Sequence, residues 1–135
     1  MVGSNEGDAG GEGVKEAVRQ ILDGIIRHAW AKAAGIVKKS FGREDDDGVR
    51  QGLVGDSALF AGRIATLYGI GEKLLQEFEE KGPDRAELSA GSTRIVVLDL
   101  DPDTVLVAVV DTSVEGHEAS RHVLDEARAK LKDVS

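Results

Sequence analysis

The chain has no cysteine, so it can form no disulfide framework, thiolate nucleophile or thiolate metal site. It also lacks an excess of positive charge. With a formal net charge of −8 it has no cationic surface of the kind on which phosphate-backbone binding rests, and it is disfavoured by anionic membranes. No apolar run approaches the length of a membrane span, and the first residues lack the basic-then-apolar order of a signal peptide, so a cytoplasmic location is expected. No internal repeat is present. What remains, 135 residues with 41% hydrophobic and 31% charged content, suits one soluble domain large enough to bury a core.

Two dense apolar runs dominate what is there. Within the stretch Thr93 to Asp111 they are rich in Val, Leu and Ile and are joined by a short Asp/Pro/Thr segment in which Asp-Pro-Asp initiates a turn, so they read as the two strands of a hairpin. Neither run alternates between apolar and polar. A strand that is apolar on both faces needs cover on both, which places the hairpin inside a sheet with helices, or a second subunit, packed against it.

Around this hairpin the chain divides as follows. Residues 1–13 are Gly-rich and acidic and read as a disordered tail, with a single domain over 14–135. Val14, Val18, Ile21, Leu22, Ile25 and Ile26 recur at helical spacing and define a first amphipathic helix. His28 to Ser40 reads either as a continuation of that helix, which its Ala and Lys content slightly favours, or as a short strand around Ala33 to Lys38. Gly42 to Gly48 reads as a solvated loop and Val49 to Val54 as a strand candidate.

A long helix is expected from a cap at Asp56-Ser57 to a stop at Lys81-Gly82-Pro83, in which glycine would take the left-handed position. Phe60, Ile64, Leu67, Gly71, Leu74 and Phe78 form its expected core-facing stripe. Ala61, Ala65, Tyr68 and Leu75 stand on one flank, Leu59 and Ile70 on the other. That arc is wider than one sheet covers, so something else is expected to cover the flanks. Arg85 to Ala90 is polar enough for an edge strand, and Thr112 with Glu115 forms a capping box for a last helix. Ser120, Leu124, Ala127, Leu131 and Val134 face inward on that helix, with Val123 beside them.

Chemical motifs are few, and each has a plainer explanation. Gly55-Asp56-Ser57-Ala58-Leu59 is similar to the nucleophile block of GDS-type esterases, but the late Asp-x-x-His block of that family is missing, and Ser57 serves equally as a helix cap. Gly69-Ile70-Gly71-Glu72-Lys73-Leu74 lies inside a helical pattern, without the third glycine or the Ser/Thr of a nucleotide loop; close helix packing accounts for its glycines. Asp99, Asp101 and Asp103 are turn residues rather than a calcium loop, and His28, His117 and His122 lack the i, i+4 pairing of a helical zinc site. Trp30, the only tryptophan, suits a core position. No catalytic residue, metal site or cofactor is expected.

From Asp56 onward the chain resembles the roadblock/LC7 family of dynein-light-chain-like and GTPase-regulating proteins. The resemblance lies in LFAGRIATLYGIGEKLLQEFEEKG, STRIVVLDLDPDTVLVAVVDTS and HEASRHVLDEARAKLKDV, somewhat over half of the chain. It implies an α+β, profilin-like antiparallel sheet with the long helix on one face and the terminal helices on the other. A strand pair between the first two helices is part of that order, so His28 to Val37 should contribute strand. It further implies a non-enzymatic homodimer, meeting along the flank of Ala61, Ala65, Tyr68 and Leu75, that binds and modulates a small Ras-like GTPase, with Arg63, Thr66 and Lys73 offering a polar partner surface. A small-ligand sensor of similar fold, with a cavity under the long helix, is the second reading; a hydrolase using Ser57 is the third.

Overall fold

The computed structural model describes residues 13, 16–39, 44–50, 57–114 and 117–134. Helix α1 covers residues 16–26. It is followed by β1 (Ala31–Lys38), β2 (Glu44–Arg50), α2 (Ser57–Gln76), β3 (Arg85–Ala90), β4 (Thr93–Asp99), β5 (Thr104–Asp111) and α3 (His117–Val134). The strands form one sheet in the order β2-β1-β5-β4-β3, with antiparallel pairing throughout. The expected tail lies outside the described residues except for Gly13, which is already helical.

The β4–β5 hairpin sits inside the sheet, as its two-sided apolar character requires. Alternate residues divide into two cores. Val96 and Leu98 of β4 with Leu106, Ala108 and Val110 of β5 meet Val18, Leu22 and Ile25 of α1 and Leu124, Ala127 and Leu131 of α3. On the opposite face Val97, Val105 and Val107 meet Ala61, Ile64 and Tyr68 of α2. The long helix therefore covers one face and the two terminal helices the other. Arg128 of α3 donates through Nε to the carbonyl of Asp99 at 2.7 Å, and Arg85 of β3 pairs with Asp125 at 2.7 Å, tying α3 to the sheet.

The middle of the chain departs from its local propensities. Ala31–Lys38 is strand, not helix, because it pairs along its length with β5 and buries Ala33, Ala34, Ile36 and Val37 between the helical layers. Non-local pairing outweighs the slight helical preference of its alanines. Glu44 to Gly48, expected in a solvated loop, forms most of β2; as an edge strand it can carry acidic residues while its backbone pairs with β1. Of the expected strand over Val49 to Val54, Val49 and Arg50 belong to β2 and the rest lies outside the described residues.

The end of α2 is also corrected. It stops at Gln76, and Glu79 occupies the left-handed region at φ 61°. The Glu80 amide donates to the Leu75 carbonyl at 3.1 Å and the Glu79 amide to the Gln76 carbonyl at 3.0 Å, the paired bonds of a Schellman stop. Gly82 is not the left-handed residue. A Cβ there would meet Glu72 and the Tyr68 hydroxyl at 3.1 Å, so its smallness serves close approach of the chain to α2. The left-handed glycine is Gly91, at φ 58° in the two-residue β3–β4 turn, where a II′ hairpin places it.

Candidate interaction surface on the long helix

At 100° per residue, the buried residues Ala61, Ile64 and Tyr68 lie on one side of α2, and Phe60 packs beside them. The expected stripe is rotated from this by roughly 70°. Leu67 and Gly71 are only half-buried, and Leu74 and Phe78 stand 56% and 78% exposed. Leu59 and Ile70, at 52% and 54%, join them on the outer face. The physical reason is a matter of size and polarity. Ala61 is small enough to let the helix approach the valine surface of β4 and β5, and the Tyr68 hydroxyl finds partners beneath the helix that Leu74 and Phe78 do not need.

Those partners form a polar clasp. Tyr68 Oη lies 3.1 Å from Asp99 Oδ1 and 3.3 Å from the Pro83 carbonyl, both within reach as acceptors. Lys39 Nζ donates to Asp99 Oδ1 at 2.5 Å and to the Asp101 carbonyl at 2.7 Å, and stands 4.8 Å from the centre of the Tyr68 ring. Burial pulls the Lys39 ammonium down, but its bonds to Asp99 and Tyr68 outweigh this and hold its pKa above the ordinary lysine value. Burial pushes the Tyr68 phenol up, and Asp99 reinforces the shift against the opposing influence of Lys39. The clasp joins the residue after β1, β4, α2 and the segment after α2, on the side of the helix that faces the sheet.

The residues assigned to interfaces fall in two groups. Ala61 and Tyr68, expected at a dimer contact, belong to the chain's own core at 0% and 5% exposure, because α2 is turned toward the sheet on that side; Ala65 and Leu75 are half-buried along its edge. Arg63, Thr66 and Lys73 are exposed, as a partner surface requires, and stand among the outward apolar residues. A shallow depression lined by Leu59, Gly62, Arg63 and Thr66 marks the first half of this face. Among the described residues Gly62 and Gly69 have nothing within 4 Å of a would-be Cβ, so no close packing against those residues accounts for them. The outer stripe was missed as an outer stripe because large apolar side chains read as core unless a competing buried face is known.

The remaining motifs resolve simply. Ser57 opens α2, and α2 lies on the sheet face opposite α3, the helix that carries His117 and His122. His122 instead pairs with Glu126 at 3.0 Å. Asp101 Oδ1 accepts from the Asp103 and Thr104 amides at 2.8 Å each, a turn role. Residues 69–74 lie within α2. The expected capping box cannot be placed, since Glu115 lies outside the described residues. Trp30 is buried at 1% exposure and its ring stacks on His28 at 4.9 Å. Among the described residues no three His, Asp or Glu side chains gather as a metal site, and no helix is long and apolar enough to cross a membrane.

Neither a family model nor a curated protein matches the sequence. Solved structures do match the fold. MglB from Myxococcus xanthus superposes with a TM-score of 0.79 at 16% identity, over 88% of this chain and 87% of that one. The gliding protein MglB from Thermus thermophilus gives 0.75 at 15% identity over 88% of each chain. A roadblock/LC7 domain from Streptomyces avermitilis gives 0.67 at 16% identity, over 84% of this chain and 93% of that one. Superposition over most of each chain identifies this architecture, a five-stranded antiparallel sheet with one helix against one face and two against the other, as the roadblock/LC7 fold.

Proposed function

We propose that the chain is a non-enzymatic regulatory protein that pairs with a second copy of itself and binds a small Ras-like GTPase. The observation that carries this reading is the outer face of α2, where Leu59, Ile70 and Leu74 are all more than half exposed, with the exposed Phe78 just past the end of the helix. Large apolar side chains clustered on one helix face are costly to leave in water, and such patches mark protein interfaces. The β3 edge supports it. That strand is terminal in the sheet, and Leu88 on it is 51% exposed, so a second copy can extend the sheet there while the two α2 helices come together. Self-association also figures among the structural neighbours, one of which is MglB in a tetrameric arrangement.

In this reading the GTPase docks where Arg63, Thr66 and Lys73 border the apolar stripe, and the protein supplies no reacting group. Any effect on GTP hydrolysis comes from holding the partner's own residues in place, because phosphoryl transfer is governed by positioning and electrostatics. The test is to measure binding of Ras-like GTPases from the same organism, loaded with GDP or a GTP analogue, and their hydrolysis rates with the wild-type chain and with Arg63→Ala. Saturable binding to one nucleotide state is expected, with stimulation changed by Arg63→Ala less than tenfold. A loss on the order of a thousandfold would instead make Arg63 an arginine finger. Absence of binding to either state, together with saturable uptake of a small metabolite, would overturn the reading in favour of a sensor.

A further inference from the structure

A second surface lies on the opposite side of the sheet. Helices α1 and α3 jointly line an open cavity of about 740 Å³. Its apolar lining includes Ile21 and Ile25 from α1 and Val123 and Ala127 from α3. Gly24 also lines it, and a Cβ at that position would meet nothing within 4 Å among the described residues, which leave the groove open at its middle. The α1 side of the lining runs from Ala17 to Ile25, which at helical rise is roughly 12 Å, or about two turns, and His28 extends it past the end of the helix. A groove of that length between two helices is the seat into which a third helix packs.

Charge decides what kind of helix. Glu126, Lys130 and Asp133 line the groove at i, i+4 and i+7 of α3, presenting negative, positive and negative charge at one-turn intervals. A helix lying alongside is matched when it carries basic, acidic and basic residues at the same spacing. A symmetric contact with a second copy is not matched, because it sets groove against groove. The large apolar side chains the described residues leave exposed, Leu59, Ile70, Leu74, Phe78, Leu88 and Val114, all lie outside α1 and α3, so this face has none to insert into its own copy. We infer that the α1–α3 groove is a docking site for an amphipathic helix of another protein, with a large apolar residue seated over Gly24 and a basic–acidic–basic ladder facing Glu126, Lys130 and Asp133.

The inference is independent of what binds α2. Its test uses two synthetic 16-residue amphipathic peptides without tryptophan, alike in their leucine ridge, one bearing Lys-x-x-x-Glu-x-x-Lys along the flank and the other the inverted charges. Titration into the full chain is followed by Trp30 emission, which reports on the groove through the ring of His28 that lines it. The complementary peptide should bind about tenfold more tightly than the inverted one. Gly24→Leu should weaken binding on the order of tenfold or more by filling the seat. The triple exchange Glu126→Lys, Lys130→Glu and Asp133→Lys should reverse the preference; being confined to exposed positions, it decides the matter if Gly24→Leu fails to fold. Equal binding of both peptides, binding of neither, or undiminished binding to Gly24→Leu overturns the inference. So does concentration-dependent growth in light scattering that Gly24→Leu abolishes, which would assign the groove to a second copy.

Discussion

Asp99 is the residue on which the orientation of the long helix turns. It accepts from Lys39 and lies within reach of the Tyr68 hydroxyl, so one carboxylate satisfies two groups that would otherwise be left without this acceptor at a half-buried junction. Asp99→Ala is expected to cost about 1.5–3 kcal/mol in urea unfolding, the range for hydrogen bonds to charged groups. The clasp also has a pH signature. Lys39 and Tyr68 both hold their protons more tightly in the folded chain than at their ordinary values of 10.5 and 10.0, so the folded state binds more protons in alkali. Their contribution is fully present below about pH 10 and is lost as pH rises through the raised values. Urea midpoints measured between pH 9 and 11.5 should fall for the wild type, and less steeply for Tyr68→Phe. A parallel decline in both proteins would mean that the clasp plays no part.

At the scale of elements, the stop of α2 is the plainest place to improve on nature. Glu79 holds a left-handed conformation that L side chains resist, at a cost of roughly 1–2 kcal/mol relative to glycine. Glu79→Gly should therefore raise the unfolding free energy by about 1 kcal/mol, after the added freedom of glycine in the unfolded chain is subtracted. The converse holds in the β3–β4 turn. Gly91→Ala introduces a side chain at φ 58° and should destabilise by about 1 kcal/mol although nothing surrounds the position. Thermal melts of the two variants moving in the same direction would contradict this account.

For the whole molecule, the proposed dimer would use the face of α2 opposite the one that serves folding. Ile70 is 54% exposed and its replacement by Glu leaves the Ala61–Ile64–Tyr68 core untouched. Ile70→Glu is thus expected to yield a folded monomer, seen as a halved mass in light scattering with an unchanged circular dichroism spectrum, because a charge is left without a partner in the interface. Ala61→Leu should behave oppositely, losing about 1–3 kcal/mol by overpacking at a site with no exposure. A wild-type chain that is monomeric at all concentrations would remove the basis of the dimer reading.

Much of this architecture could be read from residues whose surroundings are mostly local. The hairpin of β4 and β5, the edge strand β3 and the inward stripe of α3 follow from unbroken β-branched runs, turn residues and helical spacing, and the same reasoning placed the hairpin inside the sheet. Three features lay beyond it. Ala31–Lys38 is strand because β5 pairs with it from over sixty residues away, and no window of sequence contains that partner. Glu44 to Gly48 is strand because an edge accepts acidic residues that a local reading assigns to solvent. The side of α2 that faces the sheet was decided by the Tyr68–Asp99–Lys39 clasp, since two apolar stripes on one helix look alike until a distant carboxylate and a distant lysine choose between them. Apolar spacing alone determined that α2 buries a face; only tertiary structure decided which one it buries in its own core and which it leaves exposed.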